Sequence, residues 1–178
     1  AGENFEEVYT FLSKDENPNR KKLLFSLALK DAKDLKASVL EDHLDCEQGD
    51  LPEEIFRKDL LCPRIFLEEL TPYRSMIRGF FEEETKRSFA EQPERILDYL
   101  KKNITFHPEE EYDTIMATPV GVLTMKQGSP LAQKILFVAI CRSLNVAARL
   151  NPVTLEPEYY RDGAFHSVET EAAVLKDE

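Results

Sequence analysis

Across 178 residues the chain carries no tryptophan, three histidines, three cysteines and six glycines, and its bases are outnumbered by its acids, 23 to 34. Each shortage removes a class of protein. A net charge of -11 excludes nucleic acid as the expected partner, because phosphate binding draws on clustered Lys and Arg. Cys46, Cys62 and Cys141 form an odd set without C-x-x-C or Cys/His metal spacing, so no zinc site or other metal site is expected. Cys46 and Cys62 could pair in an oxidising compartment, but spacing alone does not bring their Cα atoms within the ~7 Å a disulfide needs. No stretch approaches the ~20 apolar residues of a membrane span, and the N-terminus lacks the basic, apolar and small-residue series of a signal peptide. No repeat or low-complexity tract is present, and nothing in the pattern calls for a cofactor.

The acids that dominate the composition are dispersed. Glu53-Glu54, Glu82-Glu83-Glu84 and Glu109-Glu110-Glu111 read as solvated helix starts, helix ends and loops. The alternating ligands of a calcium loop are missing from all of them.

Apolar spacing predicts a helical first half. Phe5, Val8, Tyr9, Phe11 and Leu12 share a helix face ahead of the Asn17-Pro18-Asn19 break. Leu23, Leu24, Leu27 and Ala28 form a second face. A third stretch starts at Asp34 and carries Leu35, Val39, Leu40 and Leu44 toward Gly49-Asp50-Leu51-Pro52. Helices are then expected over 53–60, 64–70 and 72–87, with Pro63 and Pro72 at helix starts. Residues 107–113 give a loop, and Thr118-Pro119 a turn before a short element at 120–125. His107 reads as an exposed side chain and His43 as a structural or solvent-facing one.

The most informative stretch runs from Gly128 to Arg149. Every side chain from Ile135 to Cys141 is apolar, so this helix must be wrapped on nearly all sides. Ser129 is a suitable N-cap, Pro130 suits the first helical position, and Asn145 fits a left-handed stop after Leu144. A strand is expected over 146–151, followed by strands at 157–161 and 164–170. The expected core is Ile96, Leu100, Leu131, Ile135, Leu136, Val138, Ala139, Ile140, Val146 and Val168.

That helix and strand resemble the core of the transglutaminase-like superfamily, whose papain-like fold opens a buried helix with Gly-x-Cys and leaves it through Arg-x-x-Gly-Ile-Pro-Ala-Arg. The stretch from Pro93 to Phe106 is similar to the helix preceding that core, Val122 to Gly128 to the approach to the nucleophile, and Tyr159 to Glu169 to a turn feeding a core strand. The segment from Cys62 to Arg74 is similar to an element ahead of the core in certain exported bacterial proteins. The resemblance implies an α+β chain: a helical N-terminal region, 1–90, then a papain-like core, 91–178, in which the central helix packs on an antiparallel sheet. It also implies an exported protein, periplasmic or on the cell surface. By that expectation the opening Ala1-Gly2 reads as an expression scar and the ending as a cut through a longer chain.

Counting back from Arg149, the family's cysteine falls on Pro130, with Ser129 beside it, and neither carries a thiol. A helix N-terminus stabilises a thiolate and a neighbouring His completes the nucleophile; proline supplies neither. The resemblance therefore implies a degenerate site at Ser129 and Pro130, with His166 as the candidate histidine. In a second register Asp162-Gly163-Ala164-Phe165 makes a hairpin turn and leaves His166 on a strand face. Glu169 is the nearest acid for a third member. Tyr159, Tyr160, Arg64 and Arg74 are candidate binding residues beside the would-be cleft. The expected role is non-catalytic, binding a protein or glycan partner or supporting neighbouring domains. The alternative is a cysteine protease or acyl transferase using a displaced Cys46 or Cys62.

Overall fold

The computed structural model describes residues 5–27, 31, 35–107 and 118–168. It is an α+β structure with helices packed against a three-stranded antiparallel sheet of order β1-β2-β3. The helical part opens with α1 (Phe5–Ser13), α2 (Asn19–Phe25), α3 (Ala37–Asp42) and α4 (Glu53–Phe56), the last continuing as a π-helical segment, Arg57–Leu61. Then come α5 (Tyr73–Phe80), α6 (Glu83–Glu91), α7 (Glu94–Asn103), α8 (Pro119–Met125) and α9 (Pro130–Ser143), followed by β1 (Ala148–Leu150), β2 (Pro157–Arg161) and β3 (Ala164–Ser167).

The centre of the fold is α9. Ser129 caps it by accepting a hydrogen bond from the Ala132 N–H at 3.2 Å, and Pro130 occupies its first turn. Its end closes on Asn145 in the left-handed region, φ 64°, with Val146 N–H donating to the Cys141 carbonyl and Asn145 N–H to that of Arg142. This paired closure satisfies carbonyls that a helix end otherwise leaves open. Residues 135–143 are all buried, enclosed by α5, α7, α8 and the sheet. Of the expected core, Leu131 alone is misplaced: it is 37% exposed, because its place in the first turn points away from the sheet.

Two apolar clusters result. One surrounds α9 and reaches from Tyr73 to Val168. The other is built from Phe11, Leu23, Leu40, Phe56, Leu60 and Leu61, and includes Ala147 just ahead of β1. Arg20 organises the second by donating to Asp15 and to the Phe11 carbonyl at 2.8 Å, and to Glu41.

Three expected elements differ. No helix forms over 64–70. The Glu68 carboxylate turns back to accept from the N–H groups of Ile65 and Phe66, at 2.9 and 2.7 Å, and the buried Arg142 takes the Arg64 carbonyl at 2.9 Å, so these backbone groups are satisfied without helical bonds. The helix expected over 72–87 breaks where Phe81 becomes extended, and Phe81 then packs edge-on against Phe89 and Tyr99. Strand β1 is shorter than 146–151 because Asn145 and Val146 are used in closing α9. The expected helix-face residue Ala28, the helix start at Asp34, the Glu109–Glu111 run and the strand end at 169–170 lie outside the described residues.

Candidate functional site

The start of α9 is held by a short parallel contact. Gly128 N–H donates to the Thr105 carbonyl and Thr105 N–H to that of Lys126, each at 3.0 Å. Gly128 is required by this approach, since a Cβ there would sit 2.9 Å from Cγ1 of Val122, a β-branched side chain with little freedom to yield. Gln133 folds back so that Nε2 donates to the Gly128 carbonyl at 3.0 Å. The next residue, Lys134, meets Glu156 at 3.0 Å, the residue leading into β2. The Ser129 Oγ is occupied as a cap, and among the described residues no imidazole bonds to it.

His166 lies on β3, exposed, opposite Tyr159 in the register of β2 and β3. Asp162 (φ 54°) and Gly163 (φ 83°) make the hairpin turn, which is shorter than the expected 162–165 because Ala164 and Phe165 already pair in β3, and His166 is left on a strand face. The imidazole stacks on the Tyr159 ring with centroids 5.4 Å apart, and Nε2 donates to the Arg161 carbonyl at 3.0 Å. Tyr159 itself is buried. Its hydroxyl donates to Glu94 Oε2 at 2.6 Å, and burial, with that carboxylate adding to it, pushes its pKa up to about 12. Tyr160 is half-buried, edge-on to Phe165, and lines a surface cavity of about 280 Å³ together with Glu47, Asp50, Asn145 and Arg161.

The two candidate arginines sit elsewhere. Arg64 pairs with Asp31 at 2.7 Å. Arg74 is fully buried: Nε donates to His43 Nδ1 at 2.8 Å, while Nη2 donates to the carbonyls of Leu60, Leu61 and Cys62. With Nδ1 accepting, the His43 proton is on Nε2 and goes to the Thr71 carbonyl at 2.9 Å. Burial, then the charge of Arg74, holds the pKa of His43 well below the ordinary 6.5. His107 is half-buried.

All three cysteines are free and buried. Cys141 lies inside α9, where burial pushes its thiol far up. Burial also raises Cys46, against the opposing charge of Arg74, and its Sγ faces the His43 carbonyl rather than the ring. Cys62 Sγ points to the carbonyls of Ser26 and Arg64, each at 3.6 Å. Among the described residues no group of three or more His, Cys, Asp or Glu is placed to hold a metal ion.

The family model described as the transglutaminase-like superfamily matches residues 74–169, more than half of the chain. The chain belongs to this superfamily. No curated protein and no solved structure matches it. The matched stretch of this transglutaminase-like chain starts at Arg74 in α5, contains α9 and the sheet, and closes just after β3.

Several organising side chains escaped the sequence reading. Arg142 reads as the polar end of an apolar run, yet it is buried and donates to the carbonyls of Ala148, Cys62 and Arg64 at 2.9, 2.7 and 2.9 Å. Glu94 looks like any first-turn acid, and only the fold brings it to Tyr159. Lys134 is a signal available in advance, a cation directly ahead of the apolar run that begins at Ile135.

Proposed function

We propose that this transglutaminase-like domain is non-catalytic and acts by binding, or as a structural module beside neighbouring domains of a larger exported protein. The observation that carries the reading is the start of α9: the family resemblance puts the nucleophile at Pro130, and the adjacent Ser129 hydroxyl is engaged in capping the helix. Support also comes from the thiols, which are buried and face backbone carbonyls. Cys46 and Cys141 are pushed away from the thiolate form that attack requires. Tyr160, at the rim of the 280 Å³ cavity, is the candidate contact for a protein or glycan partner.

Incubated with a glutamine-containing peptide and a primary amine, the protein is expected to release no ammonia and form no cross-link. An electrophilic thiol probe at mildly acidic pH should label none of the three cysteines faster than a free thiol. Turnover that disappears in Cys46→Ala, Cys62→Ala, Cys141→Ala or Ser129→Ala would replace this reading with the displaced-nucleophile enzyme.

A further inference from the structure

The sheet ends on β3, and the pairing fixes which of its backbone groups point outward. Val168 N–H donates to the Pro157 carbonyl at 3.0 Å, and on the other side of β2 Tyr160 N–H donates to that of Ala147 at 2.8 Å. Bonded pairs alternate in an antiparallel ladder, so Ala164, His166 and Val168 turn their backbone N–H and C=O groups toward β2. Those of Phe165 and Ser167 turn away from it. Among the described residues nothing bonds them. The opposite edge is closed: the outward carbonyl of Ala148 on β1 accepts from Arg142 Nε at 2.9 Å, and the π-helical segment packs beside that strand. An open edge is ordinarily guarded by lysine, proline or a bulge. Strand β3 has none of these: it reads Ala-Phe-His-Ser, pairs with β2 without a break in register, and exposes Ala164, His166 and Ser167.

We propose that β3 is a self-pairing edge, at which a second copy of this chain adds its own β3, antiparallel about a twofold axis at His166. This goes beyond the non-catalytic reading and does not depend on it. The occupant follows from the register. With the axis at His166, Phe165 of each copy lies opposite the partner's Ser167, so the outward donors and acceptors of one strand meet those of the other with none left over. Charge permits the approach. The chain carries -11 overall, yet residues 163–168 hold no acid, Arg161 precedes the turn, and the Arg149 guanidinium lies 3.8 Å from the Phe165 ring centroid. Acids farther off are screened, since exposed charges fade over ~8 Å at physiological ionic strength. A contact between two short strands is small, which makes the dimer a weak, concentration-dependent one.

Sedimentation equilibrium of the whole chain from about 10 μM to about 1 mM, the range of weak association, tests this. The average mass should climb from 20.5 kDa toward twice that value. Ser167→Pro removes an outward N–H that the fold does not use, and should hold the chain at 20.5 kDa. Register is read by cross-linking. His166 lies opposite itself in a non-hydrogen-bonded pair, where Cα atoms sit about 4.5 Å apart, within disulfide reach. Under mild oxidation His166→Cys should therefore give linked dimer at least tenfold faster than Ser167→Cys, whose thiol faces the partner's Phe165. The native cysteines are buried and do not compete. A monomer over the whole range, an undiminished dimer in Ser167→Pro, or equal cross-linking by the two cysteine variants overturns the proposal. If Ser167→Pro does not fold, the cross-linking ratio decides. Amide exchange at Phe165 and Ser167 that is equally slow at both ends of the range would mean that the chain's own residues cover the edge, and it overturns the proposal as well.

Discussion

At the scale of single residues, stability depends on polar atoms that find partners far away in sequence. Ser129 supplies one cap bond, so Ser129→Ala should cost about 1 kcal/mol in urea unfolding and leave the fold intact. Arg142 is a different case, because it is buried and donates to three backbone carbonyls, those of Ala148, Cys62 and Arg64. Arg142→Met should cost roughly 3 kcal/mol or more, since buried acceptors left open lose about 1–3 kcal/mol each. Gly128→Ala should cost about 1–3 kcal/mol by forcing a Cβ against Val122, an effect that Val122→Ala in the same chain should relieve in part.

At the scale of elements, α9 is the support on which the rest is arranged. Leu136 and Ile140 are wholly buried on it, and truncating either to alanine should cost about 2–5 kcal/mol, read from the denaturant midpoint. Losses within error at both would mean that α9 is not the centre of the core. The same element shows how far local sequence signals reach. Ser129, Pro130 and Asn145 mark its ends correctly because caps and left-handed stops are decided within a few residues. The helix expected over 64–70 had comparable apolar spacing, yet Glu68 takes two of its N–H groups and Arg142 its Arg64 carbonyl in another shape. Arg142 lies far outside the segment it helps to hold.

At the scale of the whole molecule, two buried groups set opposite responses to pH. His43 is held neutral, with its pKa lowered, so the folded form binds fewer protons than the unfolded one below 6.5. Its contribution is full above pH 6.5 and is lost as pH falls below that value. Asp59, with a raised pKa, works in the reverse sense. The wild-type profile alone mixes the two. Unfolding midpoints of His43→Gln against wild type, measured from pH 7.5 to 5, should show the wild type losing more stability on acidification than the variant. Equal slopes would mean that His43 is protonated inside the fold.

Elements with local signals were legible in the chain: the apolar run that obliges α9 to be buried, its caps, and the pattern that places residues 74–169 in the transglutaminase-like superfamily. Packing in three dimensions settled which register His166 adopts, that Arg74 is an internal strut, that Phe81 interrupts a helix, and that Tyr159 meets Glu94. The division has one physical cause. Backbone caps and periodic burial depend on neighbours within a turn or two, whereas the partner of a buried charge or ring is chosen by packing, which brings together residues dozens of positions apart.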